Sequence, residues 1–203
     1  LNKNVINQPS VASGSLLSLN SNIYTINTTP YANALYPVNI TYPDTNNSTS
    51  TISISNNGPG VIISAYTYNL LYIWSTIIQH TIFDETIIAY ISKDTYDKNI
   101  VIVGNYKSTI TFYNSDNTLF NILQNQTNNT YVYIAKYNLN GQCIWISYIN
   151  SPYTTITDIH ISLYDSIYIT GTYTNTLTVY NSDNSLAAIT LNNTGCYLIE
   201  YNN

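Results

Sequence analysis

Thr111-Phe-Tyr-Asn-Ser-Asp-Asn117 and Thr178-Val-Tyr-Asn-Ser-Asp-Asn184 lie 67 residues apart, and the same offset lays Ile100-Val-Ile-Val-Gly104 on Ile167-Tyr-Ile-Thr-Gly171. Self-similarity at a fixed period marks a repeat protein, so the fold has to be read unit by unit. Further matches extend the pattern. Tyr131-Val-Tyr-Ile-Ala-Lys-Tyr-Asn138 aligns with Gly195-Cys-Tyr-Leu-Ile-Glu-Tyr-Asn202, and more weakly with the stretch from Gly60 to Tyr66. Ile73-Trp74 and Ile144-Trp145 follow two of these runs, 71 residues apart. Three units emerge: a divergent one over 11–81, a second over 82–149, and a third over 150–203 that stops before its Trp strand. Residues 1–10 fall outside the repeat as an N-terminal arm.

Within a unit the expected order is two strands, an inserted hairpin around a segment such as Asn181-Ser-Asp-Asn184, a third strand, and the Trp strand. β-Branched and aromatic residues fill each run, and Asn, Asp, Gly and Ser separate them, which is the signature of antiparallel strands and tight turns. No window holds a 3.6-residue apolar period long enough for a helix. Asn140-Gly141 predicts a type I′ hairpin turn, because both residues tolerate positive φ. A one-residue slip would turn every buried side chain outward. The common spacing therefore predicts Trp74 and Trp145 in equivalent outer strands, and Gly104 and Gly171 at equivalent strand ends.

The 203 residues are 44% apolar, enough to bury a core, but only 7% are charged. Solubility falls to neutral polar groups, among them 31 Asn and 22 Tyr. Five Lys, no Arg and a net charge of −5 leave no basic stripe for phosphates, so nucleic acid is excluded as a partner. AT-rich coding would enrich Lys along with Ile, Asn and Tyr, yet Lys is scarce; a wall, capsid or filament surface would keep charge low, as would drift on a tolerant surface. The chain starts at Leu1, lacks Met and shows no leader, which suggests a processed or partial product. No apolar run approaches the roughly 20 residues of a bilayer span. Cys143 and Cys196 read as two small buried hydrophobes in strands, with a single disulfide as the alternative.

Asp165-Ser-Ile-Tyr-Ile-Thr-Gly171, Leu177-Thr-Val-Tyr-Asn-Ser-Asp183 and Tyr133-Ile-Ala-Lys-Tyr-Asn138 with Gly141 and Trp145 together resemble the bacterial-type β-propeller repeat. They resemble even more its expanded version in giant viruses of amoebae, where an inserted hairpin lengthens the blade. The resemblance covers the second and third units well and the first poorly. It implies a blade-like sheet per unit and carries no catalytic signature. Propellers close with about 4 to 8 blades, so the expected fold is all-β: tandem antiparallel sheets, three propeller-blade-like units that do not close a ring by themselves.

Candidate chemistry is sparse. His80 and His160 have Asp84, Glu85 and Asp158 near them in sequence, but the repeat puts these groups in neighbouring units rather than around one point, so each histidine reads as solvent-facing or singly hydrogen-bonded. No HExxH, GxSxG, P-loop or CxxC occurs. The Asn-Ser-Asp-Asn segments offer oxygen donors but lack the spacing of a calcium loop, and Asx-turn chemistry explains them. Most tyrosines sit at repeat positions that cross-strand packing would fill, leaving Tyr31, Tyr36 and Tyr153 as loop candidates for contact with sugars. Asn27, Asn39, Asn46, Asn47, Asn125, Asn128 and Asn192 begin Asn-x-Ser/Thr sequons, five of them in the two inserted loops, and are candidate glycosylation sites.

No catalytic, metal or cofactor residue is assigned, and no cofactor is expected. The leading function is a non-enzymatic structural protein of a virion surface or extracellular filament, partnered by its own copies or by other surface and capsid proteins. A glycan-binding adhesin domain is the alternative. The third unit leaves a bare sheet edge, which invites any extended segment. Asn4-Val5-Ile6-Asn7 of the arm is the candidate, with Val5 and Ile6 as its pairing residues.

Overall fold

The computed structural model describes residues 14–19, 22–29, 38–43, 49–54, 60–81, 89–93, 99–125, 127, 129–163, 166–183 and 185–201. Their chain order is β1 (Gly14–Leu19), β2 (Asn22–Thr29), β3 (Val38–Pro43), β4 (Thr49–Ile54), β5 (Gly60–Thr67) and β6 (Tyr72–His80). Then come β7 (Ala89–Lys93), β8 (Ile100–Tyr106), β9 (Ile110–Tyr113), β10 (Leu119–Leu123), β11 (Tyr131–Tyr137) and β12 (Cys143–Asn150). The last are β13 (Thr155–Ile161), β14 (Ile167–Tyr173), β15 (Thr176–Tyr180), β16 (Leu186–Asn192) and β17 (Gly195–Tyr201). The described residues are all-β, with every pairing antiparallel and no sheet closed into a barrel or ring.

The sheets do not follow the units strictly. One six-stranded sheet runs β1-β2-β5-β6-β9-β10 and a second runs β7-β8-β11-β12-β15-β16, while β13-β14-β17 form a third and β3-β4 pair with each other. An inserted hairpin therefore adds to the sheet of the preceding unit, not its own. β9 lies against β6, with Ile78 opposite Phe112 and His80 opposite Ile110. β15 lies against β12, with Ile149 opposite Val179. The Trp strands β6 and β12 are thus interior strands, correcting the expectation that they lie outermost. The physical reason is the exposed row of N–H and C=O groups on a Trp strand, which the next unit's hairpin covers.

Two apolar layers hold the three sheets together. Val61, Ile63, Trp74 and Ile78 of the first sheet pack against Ile100, Ile102, Tyr133 and Tyr137 of the second. The opposite face of that second sheet, through Val101, Val103, Val132 and Ile134, packs against Ile167, Ile169, Tyr197 and Ile199 of the third. The middle sheet is buried on both sides, so β8 reads as an unbroken apolar run, Ile100-Val-Ile-Val103. The third sheet is buried on one side only, and β14 alternates as Ile167-Tyr-Ile-Thr170.

One turn recurs along the chain. At Asn138 to Gln142 the Gly141 N–H donates to the Asn138 carbonyl at 3.0 Å and the Asn138 N–H to the Gln142 carbonyl at 2.9 Å. Among these residues only Gly141 has positive φ, 75°. This is a type I turn closed by a left-handed residue, with the bulge that register places between Lys136 and Tyr137, rather than the predicted type I′ turn. The same bonds recur at Asn114 to Thr118 with Asn117 at φ 64°, and at Thr67 to Leu71 with Leu70 at φ 64°.

Candidate functional site

The features that recur from unit to unit are the joints between units, and each is built from a Trp strand and the hairpin laid on it. In the first joint the Thr76 hydroxyl of β6 donates to the Tyr113 carbonyl of β9 at 2.6 Å. In the second, the Ser147 hydroxyl of β12 donates to the Tyr180 carbonyl of β15 at 2.5 Å. Thr76 and Ser147 hold the same place relative to Trp74 and Trp145, and Tyr113 and Tyr180 are 67 residues apart. The Tyr201 hydroxyl of β17 also donates to the Tyr180 carbonyl, at 3.1 Å, so the second joint ties together three strands. Burial pushes that phenol up to about 12, while the Ser147 hydroxyl beside it acts in the opposite direction. Tyr148 stacks on Tyr180 with ring centroids 4.1 Å apart, and burial, then the neighbouring Tyr180, pushes its phenol up to about 12.

Trp74 is clasped a second time. Its indole N–H donates to the Leu139 carbonyl at 2.7 Å, in a turn that belongs to the second unit. A Cβ on Gly141 would come within 2.7 Å of the Trp74 ring, so the turn closes over the indole only as glycine. Ser115, in the turn of the exchanged hairpin, donates to the Asn140 carbonyl at 2.7 Å, locking the two turns over the indole. Trp145 is half-buried and stacks at 6.4 Å on Tyr201.

Gly104 and Gly171 also hold equivalent places, but inside their strands. Each is the fifth residue of seven, in β8 and β14, rather than at a strand end. Gly104 pairs with Tyr133 and Gly171 with Tyr197. In both cases the tyrosine folds across the glycine: a Cβ on Gly104 would meet the Tyr133 hydroxyl at 2.3 Å, and one on Gly171 the Tyr197 hydroxyl at 2.5 Å. These glycines are set by the close approach of an aromatic ring, a use of glycine within strands that position alone did not predict.

The remaining candidates do not converge. His80 is buried because β9 covers β6, so of the two expectations, solvent-facing or singly hydrogen-bonded, the first does not hold; its ring lies 6.3 Å from that of Tyr133. His160 and Asp158 are exposed on β13, and the Asp158 carboxylate accepts the neighbouring Ile159 N–H at 2.8 Å. Asp84 and Glu85 lie outside the described residues. Among the described residues, no three His, Cys, Asp or Glu gather as metal ligands. Asn114 to Asn117 and Asn181 to Asp183 are turns: Asp116 accepts the Thr118 hydroxyl at 2.6 Å and the Thr118 N–H at 3.0 Å, Asp183 accepts the Ser185 N–H at 2.9 Å, and the Thr118 and Ser185 hydroxyls, followed by their N–H groups, hold both carboxyls below their ordinary range.

The cysteines split. Cys143 is buried, with its thiol pushed up to about 12 by desolvation, whereas Cys196 is exposed, because β17 alternates and leaves one face open. That corrects the expectation of two buried hydrophobes, and the thiols are free. Of the sequons, Asn125 is 9% exposed, its side-chain amide donating to the Asn129 carbonyl at 2.8 Å and its oxygen accepting from Thr127, so it is held inward rather than projecting a glycan. Asn192 is exposed at the end of β16. Asn27 and Asn39 lie in β2 and β3. Asn46, Asn47, Asn128, Tyr31, Tyr36 and the arm residues Val5 and Ile6 lie outside the described residues, while Tyr153 is exposed.

Among the described residues, no helix is long and apolar enough to cross a membrane. No family model, curated protein or solved structure matches the chain.

Proposed function

We propose that this protein is a non-enzymatic structural subunit of a virion surface or an extracellular filament, a β-repeat chain of the propeller-blade type that works by assembling with its own copies. The observation that carries the reading is the hairpin exchange. Each joint commits backbone pairing, a hydroxyl-to-carbonyl bond and an apolar layer to holding one unit on the next, a use of conformational order that suits a load-bearing subunit. The side chains that recur between units, Trp74 with Trp145, Thr76 with Ser147, and Gly104 with Gly171, serve packing rather than a reacting centre. The low charge of 7% suits close contact between like surfaces.

The test is the state of the native material. Mass measurement and electron microscopy of particles or filaments carrying the chain should find it in an ordered multimer. A monomer that stays dispersed up to millimolar concentration, or a turnover assay in which His80→Ala or His160→Ala abolishes activity without unfolding, would overturn the reading.

A further inference from the structure

The second joint carries a pair of tyrosines that the first does not. Ile78 lies opposite Phe112 in the first joint and Ile149 opposite Val179 in the second, so the next position along each register sets Ile77 against Tyr113 and Tyr148 against Tyr180. Where the first joint has a buried isoleucine, the second has two half-buried phenols, their rings stacked with centroids 4.1 Å apart and 19° between the planes. Among the described residues the other contacts between tyrosine rings are edge-on or tilted: Tyr66 with Tyr72 at 6.1 Å, Tyr106 with Tyr131 at 5.8 Å and with Tyr133 at 6.3 Å, and Tyr173 with Tyr197 at 6.5 Å.

Both backbones of the stacked pair are pinned. Ser147, next to Tyr148, donates to the Tyr180 carbonyl at 2.5 Å, and the Tyr201 hydroxyl donates to the same carbonyl at 3.1 Å. The hydroxyl ends also meet: after burial, the charge of Tyr180 and then a hydrogen bond with its side chain push the Tyr148 phenol up. Rings stacked with their hydroxyls at the same end set the Cε carbons of one over those of the other. In a tyrosyl radical the unpaired electron is shared between the phenolic oxygen and these carbons, in an orbital perpendicular to the ring. A face-to-face stack therefore presents the carbons along the direction in which a bond between them forms, and holding them there turns a bimolecular encounter into an intramolecular step. The half-exposed edges leave both phenols within reach of an oxidant, whereas Tyr106 and Tyr133 are closed off in the core.

We propose that Tyr148 and Tyr180 form a site of oxidative cross-linking, joined as dityrosine through one Cε carbon of each ring by a haem peroxidase acting with hydrogen peroxide. Each phenol gives up one electron and its hydroxyl proton, and the two radicals form a carbon–carbon bond. The hydrogens on the joined carbons then move to the oxygens, restoring both phenols, and the peroxide, having taken two electrons and two protons, leaves as two molecules of water. The bond ties β12 to β15, which the register holds through Ile149 opposite Val179 and Asn150 opposite Thr178. A covalent link there closes the intervening chain into a loop and restricts the unfolded state. Its use to the protein rests on the load-bearing reading, whereas the chemistry of the pair does not.

The test treats the full chain, in dilute solution, with a haem peroxidase and hydrogen peroxide. Dityrosine fluorescence should appear in protein that still migrates as one chain, and the intact mass should fall by two hydrogens. Cleavage at Asp158 or Asp165, between the two tyrosines, should leave the fragments bonded to each other. Tyr148→Phe and Tyr180→Phe keep the ring and remove the O–H, and each should abolish the single-chain product. Tyr113→Phe, opposite Ile77, should leave it unchanged. The oxidised parent should melt at a higher temperature than the untreated chain, and neither the Tyr148 nor the Tyr180 variant should gain from oxidation. Dityrosine that persists in both variants, that forms only between chains through exposed residues such as Tyr68 and Tyr153, or that does not form at all would overturn the site. The readout is taken on single chains, so it is separable from the structural reading. Chains that cross-link but never assemble would uphold the site and count against that reading, and ordered multimers whose chains cannot be cross-linked would do the reverse.

Discussion

Gly104→Ala should be among the most costly single-methyl changes in this molecule, and Gly195→Ala among the least. A Cβ at Gly104 would stand 2.3 Å from the Tyr133 hydroxyl oxygen and 2.5 and 2.6 Å from two ring carbons, when ordinary contacts begin near 3.4 Å. The ring would have to retreat by about 1 Å, but Tyr133 is fully buried and its neighbours are Phe112, with ring centroids 5.6 Å away, and Tyr106 and His80, each at 6.3 Å. Overpacking a rigid cluster costs up to about 3 kcal/mol. For a protein of this size, each kcal/mol moves the melting temperature by roughly 2–4 °C, so the midpoint should fall by about 6–12 °C. At Gly171 the added methyl would also meet the Thr155 backbone carbonyl at 1.9 Å, and since backbone cannot swing aside, Gly171→Ala should exceed Gly104→Ala and open the β13 pairing. At Gly195 the nearest atom is a Tyr173 ring carbon at 3.5 Å, ordinary contact, so Gly195→Ala should lie within about 0.5 kcal/mol of the parent. Differential scanning calorimetry of the three variants decides it. Equal shifts for Gly104→Ala and Gly195→Ala would show that the Tyr133 ring does not lie where the structure puts it. Tyr133→Phe should not rescue Gly104→Ala, because the ring carbons remain.

Other expectations follow from the joints and the titrating groups. Ser147→Ala takes from the Tyr180 carbonyl one of its two hydroxyl donors and keeps that of Tyr201; it should cost about 1 kcal/mol and speed hydrogen exchange at β15, whereas unchanged exchange there would remove the hydroxyl from the joint. In the folded protein one thiol per chain, that of Cys196, should react promptly with an aromatic disulfide reagent, and Cys143 should react only at the rate of unfolding; two fast thiols would contradict the burial of Cys143. Burial pushes the Tyr201 phenol and the Cys143 thiol up to about 12, above their ordinary values. Their burial therefore supports the fold fully below those ordinary values and progressively less as pH climbs toward 12, so loss of the β-sheet signal should coincide with tyrosinate absorbance. Tyrosinate appearing in full before any unfolding would refute the buried phenol.

The β character and the unit spacing were legible because they depend on local residues: β-branched runs and Asx turns separated by a fixed period. Which sheet an inserted hairpin joins was not legible from the period, since the period orders units along the chain and says nothing about which free edge lies nearest in space. Traces were nonetheless present. Ile110-Thr-Phe112 and Leu177-Thr-Val179 share a pairing pattern, and Thr76 and Ser147 put a hydroxyl two residues past each tryptophan. Both are unusual in strands expected at an outer edge and natural in strands that hold a neighbour. The added hairpin is also what buries His80, opposite Ile110.

The contrast between β8 and β14 carries the last step. Their inward faces match, Ile100 and Ile102 against Ile167 and Ile169, but on the outward face Val101 and Val103 give way to Tyr168 and Thr170. On the third strands Val132, Ile134 and the buried Lys136 correspond to Cys196, Leu198 and Glu200. An apolar layer of the kind that joins the second sheet to the third cannot simply be repeated on such a face, since hydroxyls already spent on one another offer a new sheet little, and Glu200 would have to be desolvated. Leu198, 67% exposed, is the residue that would gain from cover there. Stacking a further sheet on this face is therefore disfavoured.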